Sequence, residues 1–235
     1  MLVAGPKDRE RMIAEGLLPA NQISVTGSVK LAGLRRLQKG KPKLFGNDRP
    51  VVLYNPHFDQ SLASFDREAR NVIERIAVDG RYNLIVAPHI RLFEGASEEQ
   101  KAEWQNLARP DQILIDLGSE RSSDMTYTLG ADIYLGDVSS QIYEYISNPR
   151  PAIFFNTHKV AWEGDENYRM WQLGDVIESS DDLIAALDNA VEHHKHYRPL
   201  QEEAALRALG DPNRDGGDVA ADILVSLLSQ QPTGR

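Results

Sequence analysis

Short, nearly unbroken apolar runs alternate along this chain with longer stretches whose apolar residues recur every three or four positions. Val51-Val52-Leu53-Tyr54 stops at Asn55-Pro56; Leu62, Phe65, Ala69, Val72, Ile73 and Ile76 then follow at helical spacing, closed by Gly80. The rhythm repeats. Strands are predicted over 82–87, 112–117, 133–135 and 151–155, with helices over 97–107, 125–130 and 139–147 between them. A short strand at 176–177 leads into a helix over 181–196, and helical segments over 201–209 and 217–228 follow. Ahead of this series lie a helix over 8–16, a strand over 23–26, a helix over 28–37 and a basic, turn-prone loop over 38–50.

Strands of four to six residues alternating with helices imply βα units on a mostly parallel sheet. The expected fold class is α/β, Rossmann-like, with helices on both faces of the sheet. The near-continuous apolarity of VVLY and AIFF suits strands covered on both sides. The predicted division is an extension over 1–20, a main domain over 21–200 and a helical extension over 201–235.

Composition narrows the chemistry. The 235 residues contain no cysteine, which excludes disulfides, thiolate catalysis and cysteine-ligated metals. A formal charge of −9 argues against nucleic acid as the main partner. No apolar run approaches a membrane span, and the first residues meet charge too early for a signal peptide, so a cytoplasmic address is expected.

In a parallel sheet, ligands gather beyond the carboxyl ends of the strands, so the loops there carry the candidate residues. Leu135-Gly136-Asp137-Val138-Ser139-Ser140 places two hydroxyls at a strand-to-helix junction, with Glu144 about one turn further on. The serines suit a phosphate at a helix start, although from spacing alone plain N-capping by Ser139 is the favoured reading. His57 and His89 each follow a proline just past a strand, at equivalent places in two βα units, and imidazole donates to phosphate or moves protons near neutral pH. Asn55 ends the first of those strands. His193, His194 and His196 sit near a helix end with no carboxylate in ligand spacing, and no metal is expected there. The phosphate-binding fingerprints G-x-G-x-x-G and G-x-x-x-x-G-K-[ST] are absent, as is G-x-S-x-G.

Several of these segments, in this order, resemble the carboxyl-terminal domain of CDP-glycerol glycerophosphotransferases, which build teichoic-acid-type polymers. Ala131-Asp132-Ile133-Tyr134-Leu135-Gly136-Asp137-Val138-Ser139-Ser140, running to Glu144 and then to Pro149-Arg150-Pro151-Ala152-Ile153-Phe154-Phe155, follows the family form "aDiLItDySSvffDya…krPiify". Asp137, Ser139 and Ser140 match it directly, while Val138 replaces a tyrosine and Glu144 an aspartate. Ile23–Lys30 is similar to the family's "ivvTGypr", and Val52–Pro56 to "iLyaPT", with His57 in place of the threonine. Asn83–His89 resembles the strand ending in the family's histidine-proline loop, but His89 follows a proline and precedes Ile90. Gly174–Ile177, leading to Asp181-Asp182-Leu183, fits the last βα unit; the likeness runs over roughly residues 20–195.

The resemblance implies the nucleotide-binding half of a GT-B enzyme over 21–200, and transfer of glycerol phosphate from a CDP-activated donor to a hydroxyl in cell-surface polymer synthesis. It implies a nucleotide-diphosphate donor such as CDP-glycerol, bound by Asn55, His57, His89, Asp137, Ser139, Ser140 and Glu144, with His89 also catalytic. It calls for no cofactor and no metal. The family's amino-terminal half, which supplies the acceptor surface, is not evident; it is expected from a partner protein or from a homo-oligomer. The acceptor or that partner would bring the protein to the inner face of the membrane peripherally. Two alternatives stay open: a half resembling UDP-sugar glycosyltransferases or UDP-N-acetylglucosamine 2-epimerases, and a nucleotide-binding domain without catalysis.

Overall fold

The structure, a computed structural model, describes residues 1–37 and 40–229. Of the predicted 38–50 loop, Gln38 and Lys39 lie outside the described residues, as do residues 230–235 of the predicted carboxyl-terminal extension. The chain forms two compact units, one from residues 1–40 with 202–235 and one from residues 41–201.

In the first unit, β1 (Leu2–Val3) and β2 (Ser24–Val25) pair in parallel. Helix α1 (Pro6–Ala14) forms the connection between them. Helix α2 (Val29–Leu37) packs on α8 (Gly216–Ser229), and Arg36 holds Asp215 and Asp218 at 2.8 and 2.7 Å. Residues 21–40, expected with the main domain, group with the chain ends because β2 pairs with β1 and α2 packs on α8. Leu224, Val225, Leu227 and Leu228 on α8 are exposed.

The second unit carries six parallel strands: β3 (Val51–Asn55), β4 (Asn83–Val86), β5 (Ile113–Ile115), β6 (Ile133–Gly136), β7 (Ala152–Phe155) and β8 (Asp175–Ile177). Their order across the sheet is β5-β4-β3-β6-β7-β8. The chain therefore builds outward from β3 through β4 to β5, then returns to the other side of β3 and builds outward again. The loops after β3 and β6 leave in opposite directions at that reversal, which opens a crevice at the carboxyl end of the sheet. This is the expected α/β architecture.

Every residue of β3, β4, β6 and β7 is buried, as their unbroken apolar runs require. Helix α3 (Phe65–Asp79) lays Phe65, Ala69, Val72, Ile73 and Ile76 on the sheet and ends where Gly80 turns left-handed at φ 75°. Each such large side chain contributes roughly 1.5–3 kcal/mol when fully buried. Helix α4 (Glu98–Gln105) starts with a capping box between Ser97 and Gln100. Helices α5 (Thr126–Gly130) and α6 (Gln141–Tyr145) are single short turns.

The predicted helices over 181–196 and 201–209 are one helix, α7 (Leu183–Leu209), with Pro199 inside it. Gln201 anchors the helix just past the proline, donating to the carbonyls of Arg150 and Leu173 at 3.0 and 2.7 Å. Among the described residues no helix is long and apolar enough to cross a membrane.

Candidate functional site

Three neighbouring strands deliver the candidate residues to one rim. Asn55 closes β3, Pro88 and His89 follow β4, and Asp137 follows β6. The rim is tied together by its own hydrogen bonds. The Asn55 amide donates to the carbonyl of Ala87 at 2.6 Å and accepts from the Tyr134 hydroxyl at 3.3 Å, so it joins the ends of β3, β4 and β6. Gly136 makes this possible, since a Cβ there would fall 2.6 Å from the Tyr134 hydroxyl. The backbone N–H of His89 donates to the carbonyl of Pro56 at 3.0 Å, which fixes the second histidine loop against the first.

Asp137 is fully buried. One carboxylate oxygen, Oδ2, accepts from the backbone N–H groups of His57 and Ser64 at 2.9 and 3.0 Å. The carboxyl from β6 therefore holds both ends of the loop that links β3 to α3. Its other oxygen, Oδ1, is buried without a hydrogen-bond partner. Burial pushes the group up from 3.8 to about 6, against the opposing pull of the N–H groups of Ser64 and His57.

The two histidines share a local design. Nδ1 of His57 accepts from the backbone N–H of Asp59 at 3.0 Å, and Nδ1 of His89 accepts from that of Arg91 at 3.2 Å. An imidazole whose Nδ1 accepts carries its proton on Nε2, so each neutral ring offers an Nε2–H donor. Burial lowers both values below 6.5; the neighbouring His89 also lowers His57, and Arg91 also lowers His89. Phe58 lies between them, its ring 4.4 Å from that of His57 and 4.7 Å from that of His89. The Arg91 guanidinium sits 5.3 Å over the face of Phe58, a cation beside the two neutral donors.

Ser140 stands at the N-cap of α6 and is exposed, and its side chain makes no capping bond. Ser139 does the local work, accepting from the N–H of Gln141 at 3.2 Å. Glu144 is half-buried on the same short helix. Of the basic residues near these loops, Lys159 is committed to Glu178 at 3.2 Å. His193 lies 2.8 Å from Asp175, at the start of a different strand, β8.

Residues not foreseen also shape the rim. Phe58 directly follows a singled-out histidine, and its aromatic ring was the available signal. Trp171 donates its indole N–H to the carbonyl of Asp137 at 3.4 Å from a 3₁₀ stretch, Glu166–Leu173, which no periodicity marks. The Tyr54 hydroxyl pairs with that of Ser64 at 2.7 Å beneath the loop.

Residues 36–207 match the family model described as CDP-glycerol:poly(glycerophosphate) glycerophosphotransferase, and this match covers most of the chain. The chain belongs to that family. Among solved structures, this glycerophosphotransferase-family chain is similar to the wall teichoic acid polymerase TagF, at 16% identity and a TM-score of 0.64. That likeness covers 96% of this chain and 57% of TagF. A putative UDP-N-acetylglucosamine 2-epimerase from Listeria monocytogenes is 15% identical with a TM-score of 0.58, over 96% of this chain and 58% of its own. The UDP-GlcNAc 2-epimerase from Neisseria meningitidis, bound to UDP-GlcNAc, is 13% identical with a TM-score of 0.52, over 97% and 60%. These likenesses establish the GT-B-type fold of the family member; the chain spans less than two thirds of each of these proteins. None of the curated proteins matches it by sequence.

Proposed function

We propose that the rim of β3, β4 and β6 binds the diphosphate of a CDP-activated polyol, for transfer of its glycerol-phosphate group to a hydroxyl acceptor. The observation that carries this reading is the histidine pair. Two Nε2–H donors, each set by a backbone N–H on Nδ1, stand on adjacent loops at the crevice where the strand order reverses. The Arg91 guanidinium and the uncommitted Ser140 hydroxyl add donors suited to a diphosphate, in a protein whose net charge otherwise repels one.

In this mechanism the acceptor oxygen attacks the β-phosphorus and passes its proton to a base on the half that presents the acceptor as the new P–O bond forms. The bond from that phosphorus to the bridging oxygen breaks, and CMP leaves. His89 donates from Nε2 to the departing phosphate, His57 and Ser140 hold non-bridging oxygens, and Glu144 binds the ribose. Asp137 keeps the His57 loop in place from beneath. The acceptor is presented by a further half supplied by a partner protein or a second copy, since the likeness to TagF covers only 57% of that chain.

A second reading, a UDP-sugar site, draws on the likeness to the UDP-GlcNAc 2-epimerase. Calorimetry separates the two, with CDP-glycerol, UDP-GlcNAc, CMP and cytidine as ligands for the wild type and for Ser139→Ala/Ser140→Ala. The double variant should bind the two diphosphates at least tenfold more weakly, from the lost Ser140 bond to a charged oxygen, and cytidine almost unchanged. A preference for UDP-GlcNAc selects the second reading. Equal weakening toward all four ligands rejects the diphosphate assignment, and no binding by a folded wild type rejects both readings.

A further inference from the structure

We propose that the groove along the outer edge of β8 takes an extended, basic peptide as an added strand. This groove is separate from the donor rim, since β8 ends the sheet and lies two strands beyond β6.

The register decides which backbone groups face the groove. Phe155 pairs with Ile177, and the N–H of Asn156 donates to the carbonyl of Ile177 at 2.8 Å. In a parallel pair, alternate residues bond toward alternate sides, so Asp175 and Ile177 turn their backbone groups to β7. Val176 turns its N–H and C=O the other way, where no strand follows among the described residues. All of β8 lines a cavity of about 590 Å³, within the few hundred to ~1,000 Å³ usual for ligand sites.

A second wall is one stripe of α7, with Ala185, Ala186, Asn189, His193 and Tyr197 at helical spacing. The two alanines keep the helix flank low beside β8. Trp162 supplies an aromatic wall, and Asn156 and Trp171 also line the groove. At the start of β8 the Asp175 carboxylate is held by His193 and Tyr197 at 2.8 and 2.9 Å. A free strand edge facing a helix across a groove is a geometry in which extended peptides bind, with main-chain bonds supplying affinity and side-chain pockets supplying choice.

Charge selects the occupant. Glu163, Glu178 and Asp182 line the groove. Glu178 is paired with Lys159, whereas Glu163 and Asp182 have no ion-pair partner among the described residues. A segment that places small apolar side chains against Ala185 and Trp162, and lysine or arginine toward Glu163 and Asp182, matches both walls.

The test uses the whole chain and a capped six-residue peptide of alternating lysine and valine, followed by tryptophan fluorescence at low salt. Two control peptides accompany it: one with glutamate for lysine, and one with alternate backbone nitrogens methylated so that they cannot pair along a strand. The lysine peptide should bind at least tenfold more tightly than either control. Val176→Pro, which removes the outward N–H at an edge position where proline is tolerated, should cost a further tenfold or more. Ala185→Trp should block binding while leaving CDP-glycerol affinity unchanged. Equal binding of the methylated peptide, which needs no variant to fold, would reduce the attraction to bulk charge and overturn strand addition. Displacement of the peptide by CDP-glycerol, or no binding at all, would overturn it as well.

Discussion

Oδ2 of Asp137 lies 2.9 Å from the backbone nitrogen of His57, eighty residues earlier in the chain. The same oxygen also receives the N–H of Ser64, so one buried atom fixes both ends of the loop bearing His57 and Phe58. Removing it strands two N–H groups. Asp137→Ala should destabilise the protein by roughly 2–4 kcal/mol in chemical denaturation, and should speed amide exchange across residues 57–64. Asp137→Asn retains an acceptor oxygen and should protect that loop nearly as well as the wild type.

The same carboxyl makes stability depend on pH in an unusual direction. Its folded value is about 6 against an ordinary 3.8, so the folded state holds the proton more tightly than the unfolded chain does. The contribution is full below about pH 4 and is lost as pH rises through about 6. Stability of Asp137→Asn relative to the wild type should therefore climb by about 2–3 kcal/mol between pH 4 and pH 7. Parallel denaturation curves at the two pH values read this directly, and a flat difference would contradict it.

His57 and His89 run the other way. Both are held below 6.5, chiefly by burial, so their contribution is present above that value and is lost as pH falls through the folded ones. Nitrogen-15 NMR should find both rings as the Nε2–H tautomer at pH 7.5. Adding CDP-glycerol should raise both values, because an anion at Nε2 favours the charged ring. Phe58→Ala, which removes the ring between them, should broaden both imidazole signals and weaken CDP-glycerol binding about tenfold.

Arg150 offers a contrast, a structural cation hydrogen-bonded to carbonyls. Its guanidinium donates to the carbonyls of Thr128, Leu129, Ala131, Tyr145 and Asn148, and lies 4.1 Å over the Tyr145 ring. A lysine has neither the five donors nor the planar shape. Arg150→Lys should cost about 3 kcal/mol in denaturation while leaving nucleotide affinity, measured well below the transition, unchanged.

The sheet was legible because its central strands are buried on both faces, which leaves runs such as VVLY and AIFF that helices do not need. The reversal of order at β3 and β6 was not, since nothing local in a strand names its neighbours. At the rim, the residue types were readable and their partners were not. Capping by Ser139 at the strand-to-helix junction is readable in the sequence, whereas the lack of a capping bond from Ser140 follows from backbone angles. Asn55 and Asp137 look in sequence like groups offered to a ligand; in the fold Asn55 binds Ala87 and Tyr134, and Asp137 binds the His57 loop. Pro199 suggested a helix end, and only the buried amide of Gln201, reaching carbonyls at 150 and 173, accounts for its continuation.

The first unit draws its strands from one end of the chain and its last helix from the other, whereas the six-stranded sheet lies within residues 51–177. Synthesis on the ribosome meets these two designs differently. All the strands of the sheet have been made once residue 177 is added, and the helix residues that complete its core follow within about a dozen more. Residues 1–37 must wait through all of that interval for α8, with Leu31 and Ala32 lacking the helix that α2 packs on. A stop codon ahead of residue 216 would therefore leave the sheet's core whole and α2 without the helix it packs on, a product for proteases to find over residues 1–37.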